Sequence, residues 1–86
     1  MRRYYILSLN IPAKYYERYR TYIDHYKTCK HVSSKDRGDV VYIQIAFRPI
    51  VLDDFIEMIL KNIDEICHGN IEVLNFSKAE PYEFTF

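Results

Sequence analysis

The sequence of this 86-residue chain predicts a single α+β domain, with one four-stranded antiparallel sheet that carries two helices on one face. Three observations predict it. Apolar residues alternate with a period of two in residues 3–11 and 40–47, two helical stripes separate the strand-like segments, and only two glycines and three prolines interrupt the chain. A chain of this length buries roughly 60% of its unfolded surface, which is enough for one small core. The element order is β-α-β-β-α-β.

The first predicted strand covers residues 3–11 and is apolar almost throughout, which is typical of an interior strand. Because side chains alternate along a strand, the more apolar face consists of Tyr5, Leu7, Leu9 and Ile11. The opposite face consists of Tyr4, Ile6, Ser8 and Asn10.

The first predicted helix opens at Pro12, where a missing N–H costs least, and continues to about Lys27. Its buried face is expected to be a stripe of tyrosines, because four of them recur at helical spacing: Tyr15, Tyr19, Tyr22 and Tyr26. Tyr16 lies at the edge of this stripe and is expected to be the most accessible.

Two strands joined by a tight turn follow this helix. Residues 29–34 are polar and predict an edge strand, and residues 35–39 predict a turn in which Gly38 supplies a positive φ. Residues 40–47 alternate most clearly, with one face formed by Val41, Ile43, Ile45 and Phe47. The opposite, open face is expected to expose Tyr4, Ile6, Val40, Tyr42 and Gln44.

The second predicted helix follows Pro49. Asp54 and Glu57 have the spacing of a capping box, and Gly69 with Asn70 is a typical helix stop. The predicted apolar stripe comprises Leu52, Phe55, Ile56, Ile59, Leu60, Ile63, Ile66 and Cys67. Residues 71–76 predict the last strand, and residues 77–86 a C-terminal extension able to add a strand, because 82–86 alternate again.

This order predicts a single ferredoxin-like domain over residues 1–86. Its first and third strands would be interior and its second and fourth strands would form the edges. The composition agrees, since the first and third segments are the most apolar and the second is the most polar.

Cysteines and histidines supply four potential zinc ligands: Cys29, His31, Cys67 and His68. Antiparallel helices would place the two pairs at opposite poles, about 24 Å apart for a helix of about 16 residues. We therefore expect no metal site, no disulfide and reduced thiols.

No enzyme motif is present, so we expect no catalytic residues and no cofactor. Acylphosphatases share the predicted fold but need a glycine-rich loop with an arginine after the first strand, and residues 8–13 have neither. Small CRISPR-associated nucleases place an aspartate at the end of that strand, where this chain has Asn10. Rolling-circle nickases need a His-x-His strand that is missing here.

Residues 4–9 resemble the shorter motif of RNA-recognition motif domains, with Tyr5 at the aromatic position. Of the longer motif only Arg37-Gly38 is kept, and the predicted alternation puts Tyr5 on the helix side. The resemblance implies RNA or single-stranded DNA binding, as an alternative function, through Arg2, Arg3, Tyr4 and Tyr42 on the sheet, with Arg18 and Arg20.

The net charge of zero conceals an uneven distribution. Residues 1–37 contain nine bases and three acids, a net charge of +6, and residues 38–86 contain three bases and nine acids, a net charge of −6. Opposite charges are expected to line the seam between the two helices. The same asymmetry would also steer the molecule onto a charged partner.

These features favour a non-enzymatic protein-binding domain. Small, tyrosine-rich domains without motifs resemble accessory proteins of phages and mobile elements, among them anti-CRISPR proteins, which inhibit host defence complexes. That resemblance implies a partner in the host cytoplasm, a protein or nucleoprotein complex, and no membrane. The expected contact residues are Asp53, Asp54, Glu57, Asp64 and Glu65, with Tyr16, Arg18 and Arg20. A homodimer, formed through the open sheet face or the C-terminal extension, is a further expectation.

Overall fold

A computed structural model describes residues 4–79, and their elements follow the predicted order. The strands are β1 (Tyr4–Pro12), β2 (Cys29–Asp36), β3 (Val40–Phe47) and β4 (Glu72–Ala79). A single 3₁₀ turn at Ala13–Tyr15 leads into helix α1 (Tyr16–Ile23), and helix α2 spans Asp53–Ile66. Arg2, Arg3 and the expected strand at residues 82–86 lie outside the described residues.

The four strands form one antiparallel sheet in the order β2-β3-β1-β4. This order confirms the ferredoxin-like prediction, with β1 and β3 in the interior and β2 and β4 at the edges. Both crossovers pass through a helix, which places the helices over the sheet. None of the helices within residues 4–79 is long and apolar enough to cross a membrane.

The core lies between the sheet and the helices, and the predicted alternation is confirmed. Leu7 pairs with Ile45 and Leu9 pairs with Ile43, so both interior strands direct aliphatic side chains to the helix face. The helices complete the cluster with Tyr19, Ile23, Ile56, Ile59, Ile63 and the adjoining Cys67.

Helix α1 is shorter than predicted. Pro12 is the last residue of β1, and the α-helix ends at Ile23 instead of Lys27. After Ile23 the amide of Tyr26 donates to the carbonyl of Ile23, a three-residue spacing that closes a turn. The helical spacing of the tyrosines therefore continues to Tyr26, beyond the end of the helix. Of the four, Tyr19 is fully buried, and the other three pack half-buried against the core.

The start of α2 differs from the prediction in two ways. The N-cap residue is Leu52, with no side-chain cap, and Asp54 lies inside the first turn, so the capping box is wrong. Leu52 is also 74% exposed, although it was placed in the apolar stripe. Its backbone is extended (φ −86°, ψ 157°), so the helical spacing that assigned its direction does not apply to it.

Two glycines close the turns predicted for them. Gly38 has a φ of 83° between β2 and β3, and Gly69 has a φ of 78° after α2. The amide of Gly69 donates to the carbonyl of Asp64 at 2.8 Å, which satisfies one of the last carbonyls of the helix.

Two substitutions near and within α2 test which apolar residues stabilise the domain. Ile59 is fully buried and Leu52 is mostly exposed. We expect Ile59→Ala to lower the free energy of unfolding by about 3 kcal/mol, because it leaves a cavity, and Leu52→Ala by less than about 0.5 kcal/mol. Urea denaturation followed by circular dichroism measures both. Equal losses in the two variants would contradict the structure.

Candidate functional site

The acidic residues predicted to bind a partner lie on α2. Asp53, Asp54, Glu57 and Glu65 are exposed, and Asp64 is half-buried. None of these carboxylates forms an ion pair with a cation whose side chain the structure describes, whereas Arg20 does pair with Asp24 on α1. Their charge is therefore available to a partner.

Apolar side chains adjoin these acids. Ile50 is 62% exposed in the loop before α2, Leu52 is its exposed N-cap, and Met58 is 39% exposed on the helix. At about 100° per residue, Met58 shares the outward face with Asp54, Glu65 and the cation Lys61. We call the group the α2 surface; it comprises Asp53, Asp54, Glu57, Asp64, Glu65, Ile50, Leu52 and Met58.

The seam between the helices is formed by aromatic and amide groups. Asn62 Nδ2 donates a hydrogen bond to the Tyr22 hydroxyl at 2.8 Å, and the Tyr26 hydroxyl donates to Tyr22 at 3.1 Å. The ring of Tyr26 meets Phe55 edge to face at 5.5 Å. The expectation that opposite charges line this seam is therefore wrong for the described residues, because tyrosine, phenylalanine and asparagine occupy the facing flanks.

The basic and aromatic residues predicted on α1 do not form one surface. Arg20 Nη1 donates to the Tyr16 hydroxyl at 3.2 Å, and Arg20 Nη2 lies 3.6 Å from Asp24 Oδ1. The Tyr16 hydroxyl also lies 3.4 Å from Ser34 Oγ, and this hydrogen bond, with that from Arg20, lowers the pKa of Tyr16. Arg18 is exposed about 160° around the helix from Arg20. Tyr16 and Arg20 therefore serve the α1–β2 contact, and Arg18 stands apart from them.

A hydrogen-bonded tyrosine–histidine pair lies beside this contact and was missed at the sequence level. The Tyr19 hydroxyl lies 2.6 Å from His31 Nδ1, and Tyr19 is fully buried. Burial raises the pKa of Tyr19 and lowers the pKa of His31 to about 4, with Arg20 adding to the decrease for His31. Around neutral pH a protonated phenol and a neutral imidazole therefore share this hydrogen bond. His31 lies opposite the core residue Ile45 and shares its face, a register that only the structure shows.

The open sheet face is more enclosed than predicted. Tyr42 is half-buried, with the guanidinium of Arg37 5.6 Å from its ring centre. Ser33, Gln44 and Ser8 form a hydrogen-bonded row across three strands. Ile6 is only 7% exposed, so the prediction that this face exposes Ile6 is wrong. A pattern confined to one strand assigns a side chain to a face but does not show how far that face is covered.

Tyr5 lies on the helix side, as the alternation predicts. It packs half-buried against the core and stacks on Phe76, with ring centres 5.6 Å apart and planes 11° from parallel. The aromatic position of the motif-like segment is therefore occupied by a core-facing residue. Tyr4 is half-buried on the opposite face.

The cysteines do not form a metal-binding group. Cys29 and Cys67 are both buried free thiols, and burial raises the pKa of each to about 11. Within the described part of the chain, no cluster of three or more His, Cys, Asp or Glu side chains could hold a metal ion.

No protein-family model matches this chain, and no curated protein sequence matches it. The functional assignment therefore depends on the charge, exposure and contacts of the described residues.

The Tyr19–His31 pair predicts a pH dependence of stability. Because the pKa of His31 is depressed in the folded state, the unfolded chain binds more protons below the ordinary histidine pKa of 6.5. Stability contributed by neutral His31 is complete above pH 6.5 and is lost as the pH falls toward 4. We expect a loss of up to about 2 kcal/mol between pH 7 and pH 5.

Urea denaturation at the two pH values measures this loss, with His31→Gln as the control. The variant removes the titrating ring, so its stability should change less over the same interval. An identical pH dependence in both proteins would contradict the assignment of the depressed pKa to His31.

Proposed function

We propose that this protein is a non-enzymatic binding domain whose α2 surface occupies a basic groove on a nucleic-acid-handling complex. One observation carries the proposal: five carboxylates and three exposed apolar side chains adjoin one another, and no described cation pairs with the carboxylates. Carboxylates presented on a rigid helix are suited to the arginines and lysines that such a complex uses to contact phosphates.

The apolar members of the surface supply the second requirement of a protein interface. Interfaces commonly combine a few buried apolar anchors with a polar rim that sets orientation and association rate. Ile50, Leu52 and Met58 retain apolar area that nothing in the domain covers fully. A partner that buries them gains hydrophobic free energy beyond what the charges contribute. This combination favours a protein partner over a purely ionic contact.

The biological setting that follows is inhibition. An acidic surface seated in a basic groove excludes the nucleic acid that the groove would otherwise bind, because both compete for the same cations. An accessory protein of a phage or mobile element that blocks a host defence complex, in the manner of an anti-CRISPR protein, fits this description. It would act in the host cytoplasm.

Direct binding of RNA or single-stranded DNA is the alternative function, and one contact favours it. Arg37 and Tyr42 bring a cation and an aromatic ring together at 5.6 Å near the sheet edge. Titration with a labelled oligonucleotide separates the two functions. Tight binding with a steep negative dependence on salt supports the alternative, and no binding at low salt removes it.

Charge reversal on α2 tests the proposed function. We expect Glu57→Lys with Asp64→Lys to abolish capture of the partner, because the variant places cations against a basic groove. The matched control is Glu17→Lys with Asp39→Lys, which makes the same change in net charge on α1 and in the β2–β3 turn. Circular dichroism spectra should show that both variants remain folded.

The measurement is affinity capture from nuclease-treated host lysate, followed by mass spectrometry and an oligonucleotide-release assay on the captured complex. Wild type and control should capture the same nucleic-acid-binding complex and release its oligonucleotide. Equal capture by the α2 double variant would contradict the proposal, as would a captured complex that keeps its oligonucleotide.

A further inference from the structure

Strand β4 is an edge strand with exposed apolar side chains. Within residues 4–79 it pairs only with β1, so one row of its backbone N–H and C=O groups has no strand beside it. Val73, Leu74 and Phe76 are each 46–47% exposed. We call these three residues the β4 ledge. An exposed apolar edge of this kind is a template for pairing with another strand.

The helix layer leaves the ledge uncovered. Helix α1 contacts β2 and also contacts α2, so α2 lies toward the β1–β4 side of the sheet. Val73 pairs with Leu9 and Phe76 pairs with Leu7, which places both on the helix side of the sheet. They remain half exposed there, and neither residue belongs to the core cluster that α2 completes.

The opposite edge of the sheet is built differently. The exposed residues of β2 are polar or charged: Lys30, Ser33, Ser34, Lys35 and Asp36. Its register also shifts between His31 and Ser33, which interrupts pairing near the middle of the strand. Charges and bulges are the usual protection of an edge strand. On β4 the register shift falls near Leu74, and the pairing with β1 is regular from Asn75 to Ala79.

Acidic residues flank the β4 ledge. Phe55 and Asn62 mark the flank of α2 that contacts α1. Glu57 follows Phe55 by two residues, and Asp64 follows Asn62 by two. Each acid therefore lies about 160° around the helix from the flank that contacts α1, on the flank toward β4. Glu72 begins β4 itself and is exposed. The β4 sequence itself contains one acid, Glu72, and one cation, Lys78, so the acidic excess beside the ledge comes from Glu57 and Asp64 of α2.

We propose that the edge of β4 that no other strand of residues 4–79 occupies binds an extended segment of a partner protein that carries basic residues beside apolar ones. The segment pairs its backbone with Asn75–Ala79, rests apolar side chains on the β4 ledge and directs basic side chains to Glu57 and Asp64. This goes beyond the proposed function, because recognition is by strand addition at the edge of the sheet. The two surfaces share Glu57 and Asp64 and differ in every other residue.

A second copy of the chain is a poorer occupant of this edge. Two β4 strands paired about a two-fold axis would form a continuous sheet with both α2 helices on the same face. The flank of α2 that carries Glu57 and Asp64 would then face its own copy across the joined ledges. Like charges brought together in this way oppose association, whereas a basic segment is attracted.

The test uses the full chain and a synthetic probe, an acetylated and amidated peptide of Arg-Thr-Val-Thr repeats, which places its arginine and valine side chains on the same face of an added strand. Two control peptides accompany it: one with glutamate in place of arginine, and one with N-methyl groups on alternate amides, which block strand pairing. Two-dimensional NMR follows the backbone amides during titration, and hydrogen exchange follows their protection. Phe76→Lys and Phe76→Thr probe the ledge, and Leu52→Thr is the matched control on the α2 surface.

We expect the arginine–valine peptide to shift the amides of β4 and to slow hydrogen exchange in Asn75–Ala79. Phe76→Lys should raise the dissociation constant by at least about tenfold and Phe76→Thr by less, while Leu52→Thr changes it less than about twofold. Circular dichroism and a dispersed amide spectrum establish that each variant is folded; if Phe76→Lys unfolds, Phe76→Thr carries the comparison.

Four outcomes would overturn the proposal. The first two are that the arginine–valine peptide does not bind, or that the N-methylated or the glutamate peptide binds equally well. The other two are that the amide shifts fall on the α2 surface with none in β4, or that the protein is a dimer in solution whose β4 amides are protected before peptide is added. Failure of the proposed function is distinguishable, because unchanged partner capture by Leu52→Thr would contradict the α2 surface alone and would leave peptide binding at β4 as expected.

Discussion

The pairing of β1 with β3 is the interaction on which the rest of this structure depends. Leu7 lies opposite Ile45 and Leu9 opposite Ile43, so two alternating strands merge into one apolar surface. A shift of either strand by one residue would turn its aliphatic side chains to the other face of the sheet. Both helices are required to cover this surface, and their buried residues are those that reach it. The position of each helix follows from that requirement.

Two short helices cover the two interior strands, and the edge strands β2 and β4 are more exposed. α1 has eight residues and α2 has fourteen, and their buried residues pack against the interior strands. The β2 edge is polar, so its exposure costs little, whereas the β4 edge leaves Val73, Leu74 and Phe76 half exposed. Phe76 retains partial support because it stacks on Tyr5. The domain therefore presents its apolar area at one edge and around the start of α2.

The aromatic seam between the helices explains why a chain with a net charge of zero still has a basic part and an acidic part. Tyr22, Tyr26, Phe55 and Asn62 join the helices without ionic partners. The acids of α2 are consequently not neutralised by the bases of α1, and the net charges of +6 and −6 in the two parts of the sequence are not cancelled by pairing at the seam. An uneven field of this kind orients a charged partner during its approach. The acidic helix and the apolar edge beside it then decide where contact is made.

Local patterns in the sequence were sufficient for the strand order, the alternation and the turn glycines. Val41, Ile43, Ile45 and Phe47 alternate within one short segment, and alternation requires no knowledge of the rest of the chain. The same patterns did not predict where a helix begins or ends. The tyrosine period continued past Ile23 into a turn, and Leu52 was given a helical direction although its backbone is extended. The acids of α2 were found because exposed carboxylates on a helix are a local feature as well.

By itself, the sequence determined the fold class, the interior strands and the acidic character of α2, because each follows from spacing within a few residues. Only the tertiary structure decided that tyrosines join the helices, that His31 pairs with Tyr19, that Ile6 is enclosed on the open face and that the β4 ledge is uncovered. Each of these depends on which distant segment packs against a residue. Periodicity assigns a side chain to a face, but burial depends on what lies over that face.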